Sequence, residues 1–286
     1  SEVDAEVDTL WSSLNELCTS AERMQGLPKI FESIRNIAVQ CRDRLSEDSW
    51  RVLTGLSAER VAVQLPAPTV DKDALPSAAI TNALDIIEAA EDLLDRLGAF
   101  AGMTHENMTR NNGWLFMDLG RRVERAHQLA TLLLSLFETS EGEDLDSDDM
   151  FFALQAADSY ITFRSRYRFA PELHLVLDLL IIDETNPRSL AYQLALISQH
   201  IGKLPKSADD AVRTPEQRLA LDLLTKVRLA DVRELSEVTA NRNRKALVEL
   251  LQELILELPR LSELVSRQYF SLADEQPQRL HFSSHR

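Results

Sequence analysis

The chain has 286 residues, 44% of them hydrophobic and 27% charged, the balance of a globular protein long enough to bury a large core. Its formal net charge of −15 would repel a phosphate backbone, which argues against general nucleic-acid binding. With only 8 glycines and 10 prolines it lacks the turns of a β-architecture, so long helices joined by few loops are expected.

In chain order, Val3, Val7, Leu10, Leu14 and Leu17 recur at helical spacing and predict an opening amphipathic helix that Gly26 breaks. Pro28 suits the first turn of a second helix reaching Leu45, and Ser46 can cap a short third one containing Trp50 and Leu53. Residues 61–73 lose periodicity, gain two prolines and read as an internal linker. A fourth helix runs from Pro76 to about Met103, with Ile80, Leu84, Ile87, Leu94 and Leu97 on one side. A fifth spans Gly113 to about Glu138, and the acidic EGEDLDSDD stretch after it reads as a surface loop.

Three further helices are expected over Met150–Tyr167, Pro171–Asp183 and Pro187–Lys203, the last with Asn186 as N-cap. Thr214-Pro215-Glu216-Gln217 is a capping-box start for a helix toward Leu229. The closing helix, Asn243–Phe270, carries a seam of Leu247, Leu251, Leu254, Leu258, Leu261 and Val265 that Pro259 should bend. The sum is an all-α, antiparallel bundle of roughly nine to ten helices. It reads as a single helical domain over residues 1–271 with a polar tail at 272–286; the initial Ser hints at an excised C-terminal part of a longer protein.

No apolar run reaches the roughly 18 uncharged residues of a membrane helix; the longest candidate contains His174 and Asp178. No signal peptide is visible, and the two isolated thiols, Cys18 and Cys41, fit a reducing compartment. Cytoplasm is the expected location, with no membrane partner.

The fifth helix concentrates the polar chemistry. Trp114, Asp118, Arg121, Arg125 and Leu132 fall within one narrow stripe, flanked by Leu115, Leu119 and Leu129 on one side and Met117 on the other. Charges in an apolar setting need partners. Asp118 has Arg121 and Arg122 at i,i+3 and i,i+4, yet arginines facing one way need further acceptors. From the residues alone two readings stay open: a buried salt-bridge network that fixes helix register, or an arginine-lined site for an anion or a partner. Arg164 and Arg166 end another helix, where cations meet the dipole favourably. Arg188, in a first helical turn where a positive charge is mildly disfavoured, has more reason than an ordinary surface arginine to hold a specific ion partner, though having none stays the leading reading.

Enzyme signatures fail. There is no phosphate loop and no GxSxG. Glu124 and His127 form a lone ExxH without the second that a di-iron bundle requires. His281 and His285 lie in the tail. The calcium-loop mimic around DLDSDD has Asp149 at its sixth position and Gln155 at its twelfth, so it is rejected. No metal site is expected.

The run HENMTRNNGWLFMDLGRRVERA nevertheless resembles the signature of the bacterial alpha-E domain family, a helical domain named for a Glu-Arg motif, here Glu124-Arg125. RDRLSEDSWRVL, DSYITFRSRY and LDLLIIDETNPRSLAYQL resemble it too, in family order. Departures include Asn111-Asn112 in place of a glycine-like or acidic pair, and Tyr160-Ile161 and Phe163 where Met and Tyr are usual. Members also usually open with a further helix carrying its own Glu-Arg motif, which is not expected here.

The form most resembled is fused behind a circularly permuted ATP-grasp domain, often beside a transglutaminase-like protein. The resemblance therefore implies an accessory, substrate- or partner-binding module of an ATP-grasp amidoligase, a system that forms peptide-like bonds. No cofactor is implied for this domain; ATP and magnesium belong to the ligase partner. The family-pattern positions carried over are Asn107, Arg110, Trp114, Asp118, Arg121, Glu124, Arg125, Arg164, Arg166, Tyr167, Asp183, Asn186, Arg188 and Gln193. A purely structural module is the alternative. In a third, enzymatic reading Glu124 is a general acid or base, although burial between arginines would lower its pKa.

Overall fold

The computed structural model describes residues 26–56, 76–140, 143–168, 170–205 and 212–270, without the side chains of 76–86, 89 and 143–145. The opening amphipathic helix, the linker at 61–73, the polar tail, Cys18, His281, His285 and the side chains of Ile80 and Leu84 lie outside this description. The described residues form eleven α-helices and no strand, an all-α protein as expected. No described helix is long and apolar enough to cross a membrane. The chain divides into two compact units, residues 1–109 and 110–286.

In the first unit, α1 (Leu27–Gln40) starts with Pro28 in its first turn and is followed by a 3-10 turn, Arg42–Arg44. The Ser46 hydroxyl accepts from the Ser49 amide and caps α2 (Glu47–Thr54), as the sequence predicts. Helix α3 runs from Pro76 to Asn107, a full turn beyond its expected end. Phe31, Ala38, Leu53 and Leu56 form a small core, against which Leu93 and Phe100 of α3 pack. The expected apolar stripe is corrected here: Ile87, Leu94 and Leu97 are exposed. Apolar residues cover more than one face of α3, so periodicity alone chose the wrong one.

In the second unit Asn111 caps α4 (Asn112–Phe137), its side chain accepting from the Trp114 amide. Helix α5 (Glu143–Ala156) begins inside the expected acidic loop. Carboxylates favour a helix N-terminus, so the acidic run initiates a helix there. The single helix expected over Met150–Tyr167 is two, because Asp158 adopts a left-handed φ of 49°. That conformation ends the first helix, and α6 (Tyr160–Tyr167) begins after it.

Helix α7 (Leu173–Leu177) continues into a π-helical turn, Asp178–Ile182, closed by the Asp183 amide donating to the Asp178 carbonyl at 3.0 Å. Helix α8 is Leu190–Lys203, and its cap is Ser189, which accepts from the Tyr192 amide. Asn186 and Pro187 are thus corrected to the preceding connection, since the nearer hydroxyl takes the cap. Helix α9 (Pro215–Leu229) has the expected capping box at Thr214 and Gln217. A short α10 (Val232–Ser236), missed in the sequence, precedes α11 (Lys245–Tyr269), which runs on through Pro259.

All six seam residues of α11 are buried. They face α4, whose Leu119, Ala126, Ala130, Leu133 and Phe137 are buried too. Thr139 pairs with Asn243 at one end, while Phe116 and Leu119 line a groove with Val265 and Phe270 at the other. Helices α4 and α11 are therefore antiparallel. Helix α8 supplies Leu190, Leu194, Ile197 and Ile201 to the same core, and α9 supplies Leu223, Leu224 and Val227. Arg244, also buried, donates to the carbonyls of Phe137 and Thr139 and to Asp146, tying the end of α4 to the starts of α5 and α11.

Candidate functional site

Trp114, Asp118 and Arg122 follow one another at intervals of four on α4, so their side chains rise in one row. Gln193 and His200 lie seven apart on α8, two turns on the same face. Running antiparallel, the two rows meet. Asp118 accepts from Arg122 Nε at 3.2 Å and from Arg122 Nη2 at 3.3 Å, and pairs with His200 Nε2 at 2.7 Å. Arg122 Nη1 reaches Gln193 Oε1 at 3.3 Å, and Gln193 Nε2 donates to the Pro187 carbonyl. Trp114 meets the His200 ring edge-on, with centroids 5.4 Å apart.

Asp118 is 3% exposed. Burial pushes its carboxyl pKa up, but hydrogen bonds from His200 and Arg122, with their charges, overcome that and hold it at about 2. The buried Nδ1 of His200 has no hydrogen-bond partner among the described residues.

The rest of the stripe leaves the core. Arg121 is half-buried, with Nη1 3.7 Å from Asp118 Oδ1. Glu124 and Arg125 are exposed, which corrects the picture of a motif sunk between apolar flanks. Glu124 accepts from Gln128 at 2.8 Å and is not buried between arginines. Arg125 makes no hydrogen bond or ion pair among the described residues. Its pKa is lowered, first by partial desolvation and then by the charges of Arg188, Arg122 and Arg121; Asp118 opposes them only in part. Arg125 is a guanidinium in a field of other guanidiniums.

Arg188 joins this field from the connection before α8. Its Nη2 donates to Asp158 at 2.9 Å, so the less favoured reading, a specific ion partner, holds, and Arg188 precedes the helix instead of lying in its first turn. Buried Asn186 organises that connection: its Nδ2 donates to the Leu179 carbonyl at 3.1 Å and to Ser159, and its Oδ1 accepts from the Arg188 amide.

A second cluster stands at the end of α6. Arg166 pairs with Asp183, whose pKa burial raises, but bonds from Thr185 and Arg166 lower it overall. Tyr167 donates to Asp178. Burial and that carboxylate raise the phenol above its ordinary pKa. Arg164 lies over the Tyr160 ring at 5.9 Å, and Arg110 over Trp114 at 4.4 Å. Asn107 belongs to the first unit, beside Arg44, Ser46, Ser49 and Thr104.

A model of the Alpha-E family, described as a predicted alpha-helical domain with a conserved ER motif, matches residues 1–270. The chain belongs to the Alpha-E family. Among the described residues its Glu-Arg pair is Glu124-Arg125, at the exposed edge of α4. Uncharacterized proteins of Mycobacterium tuberculosis and Mycobacterium bovis are 30% identical to this Alpha-E chain over 244 residues, or 85% of it. The chain spans 26% of the length of each of those relatives. No solved structure matches it.

The Alpha-E positions singled out in the sequence therefore separate into groups. Trp114, Asp118 and Gln193 join the buried network, half-buried Arg121 and exposed Arg125 and Arg188 the outer arginine field, and Arg166, Tyr167 and Asp183 the α6 cluster. Sequence reasoning named Arg122 only as a neighbour of Asp118, and missed His200 and Asp158. The i,i+4 spacing pointed to Arg122, but nothing local marks a histidine 82 residues away as the partner of Asp118.

Proposed function

We propose that this Alpha-E domain is the accessory substrate- or partner-binding module of an ATP-grasp amidoligase, not catalytic alone, and that the face around Arg121, Arg125 and Arg188 is its anion-binding surface. The observation that carries the reading is Arg125, an exposed guanidinium in a positive field with no acceptor among the described residues. Holding like charges together is unfavourable, so the arrangement favours a negatively charged group from outside. The ligase context comes from the sequence resemblance, and the greater length of the relatives leaves room in them for a further domain. ATP and magnesium would be bound by that ligase, and a transglutaminase-like protein is a second expected partner. Glu124, turned to Gln128, pairs with no base or nucleophile among the described residues that would support chemistry of its own.

The test is copurification with the ATP-grasp protein, together with its ligase activity, for Arg125→Ala and Arg121→Ala. Loss of either at unchanged stability supports the reading; a folded variant with full binding and activity overturns it. The network of Asp118, Arg122, His200 and Gln193 favours the structural alternative for those four residues, because Asp118 is held by Arg122 and His200 and Gln193 ties Arg122 to the Pro187 carbonyl. That network sets the register of α4 against α8 and does not include Arg125.

A further inference from the structure

We propose that the groove between α9 and α11 is a binding site for a carboxylate with a compact apolar body, its head held by Arg218. The site is separate from the arginine face of α4 and does not rest on the reading given for that face. Pro215, Arg218, Leu219 and Asp222 fall at i, i+3, i+4 and i+7, so one face of α9 presents all four. Arg260 and Leu264, one turn apart on α11, stand opposite, and the six enclose a cavity of about 340 Å³. Lys226 donates to Glu253 and ties the two helices together at one end of the groove.

Leu219 and Leu264 are half-buried, so each helix supplies an apolar wall. A dry cavity of about 150 Å³ takes a benzene ring. This one opens to solvent and has about twice that volume, room for a chain of roughly eight carbons. Such a size lies at the small end of ligand pockets, which pair apolar walls with a few polar groups.

The charges at the rim select the head group. Asp222 accepts from Lys226 at 2.6 Å, which offsets its repulsion of an anion. Arg260 donates to Glu257 at 3.0 Å. The exposed side chain of Arg218 has no hydrogen bond or ion pair among the described residues. It also stands at the end of the first turn of α9, where the helix dipole disfavours a cation and favours an anion beside it. A guanidinium offers two parallel N–H bonds to a carboxylate. An apolar wall next to one unmatched cation fits an amphiphile of opposite charge better than a bare anion or a bare hydrocarbon.

The experiment is a chemical-shift titration of the full chain at pH 7.5 and fixed ionic strength, read at the methyl groups of Leu219 and Leu264. The probes are octanoate, 1-octanol, octylammonium and acetate, each kept below its aggregation concentration. Octanoate should bind about three- to fivefold more tightly than octanol, the gain of one exposed charge pair. Octylammonium should bind no better than octanol, and acetate, which lacks the apolar body, should not saturate. Arg218→Ala should bring octanoate down to the level of octanol and leave octanol unchanged. Leu264→Trp, which fills the cavity, should weaken both; if it does not fold, Arg218→Ala still decides.

Octanoate binding no tighter than octanol, or binding unchanged in Arg218→Ala, overturns the carboxylate assignment. Shifts that spare Leu219 and Leu264, or no binding by any probe, overturn the site itself. Ligase association of Arg125→Ala is a separate measurement, so neither outcome decides the proposed function.

Discussion

Replacing Asp118 by Asn keeps the shape of the side chain and removes the charge on which Arg122 and His200 converge. His200 and Arg122 hold the folded carboxyl at about 2, against an ordinary 3.8, a gap worth about 2 kcal/mol at roughly 1.4 kcal/mol per pH unit. Removing one partner of a buried ion pair costs about 3–5 kcal/mol, because the remaining charge is stranded. Arg122 keeps Gln193, so a loss of about 2–4 kcal/mol is expected at pH 7, measured by urea unfolding. The pH dependence gives an independent check. A carboxyl whose folded pKa is depressed contributes its full stability above its unfolded pKa and loses it as pH falls through the folded one. The wild-type advantage over Asp118→Asn should therefore hold above pH 4 and largely disappear by about pH 2. A loss below about 0.5 kcal/mol at pH 7, or a gap undiminished at pH 2, would refute the account of the network.

Arg125→Ala should leave the urea midpoint unchanged within about 0.5 kcal/mol or raise it, since only repulsion is removed; a larger loss would reveal a structural bond. Arg244→Ala should cost about 3 kcal/mol or more in the same assay, because the buried guanidinium's bonds to two carbonyls and to half-buried Asp146 are lost, Asp146 keeping Ser140. Asn186→Ala should cost about 1–3 kcal/mol by leaving Leu179 and the Arg188 amide without their side-chain partner, and circular dichroism melts would show it. Pro259→Ala, at an exposed position inside α11, should stabilise by about 1–3 kcal/mol by restoring a backbone donor; a lower melting temperature would show that the helix depends on its proline.

The fold class was legible because long amphipathic helices announce themselves: the α11 seam, the Ser46 cap and the Thr214 capping box all appear where the residues place them. The errors fall where a short-range choice depends on distant packing. Asp158 breaks a pattern that reads as one helix, and Ser189 takes a cap that Asn186 could equally have supplied. The functional stripe was legible as a stripe, but its depth was not. Asp118 and Arg125 lie two turns apart on one stripe, so position along α4 separates them: α8 covers the turn of Asp118 through His200, while Arg125 meets solvent. His200 was invisible for the same reason, since its role exists only once α8 lies antiparallel to α4.

The wide turn at Asp178–Ile182 bears on how this family diverges. A π turn holds one residue more than an α turn, so it lets a helix absorb an insertion without extruding a loop. One extra residue also swings everything downstream by about 100° around the axis. The bearing of the 183–188 connection, and with it the charge of Arg188, thus follows from a single added residue. Relatives with an unbroken α-helix there should be one residue shorter between the equivalents of His174 and Asp183, and should aim that arginine elsewhere.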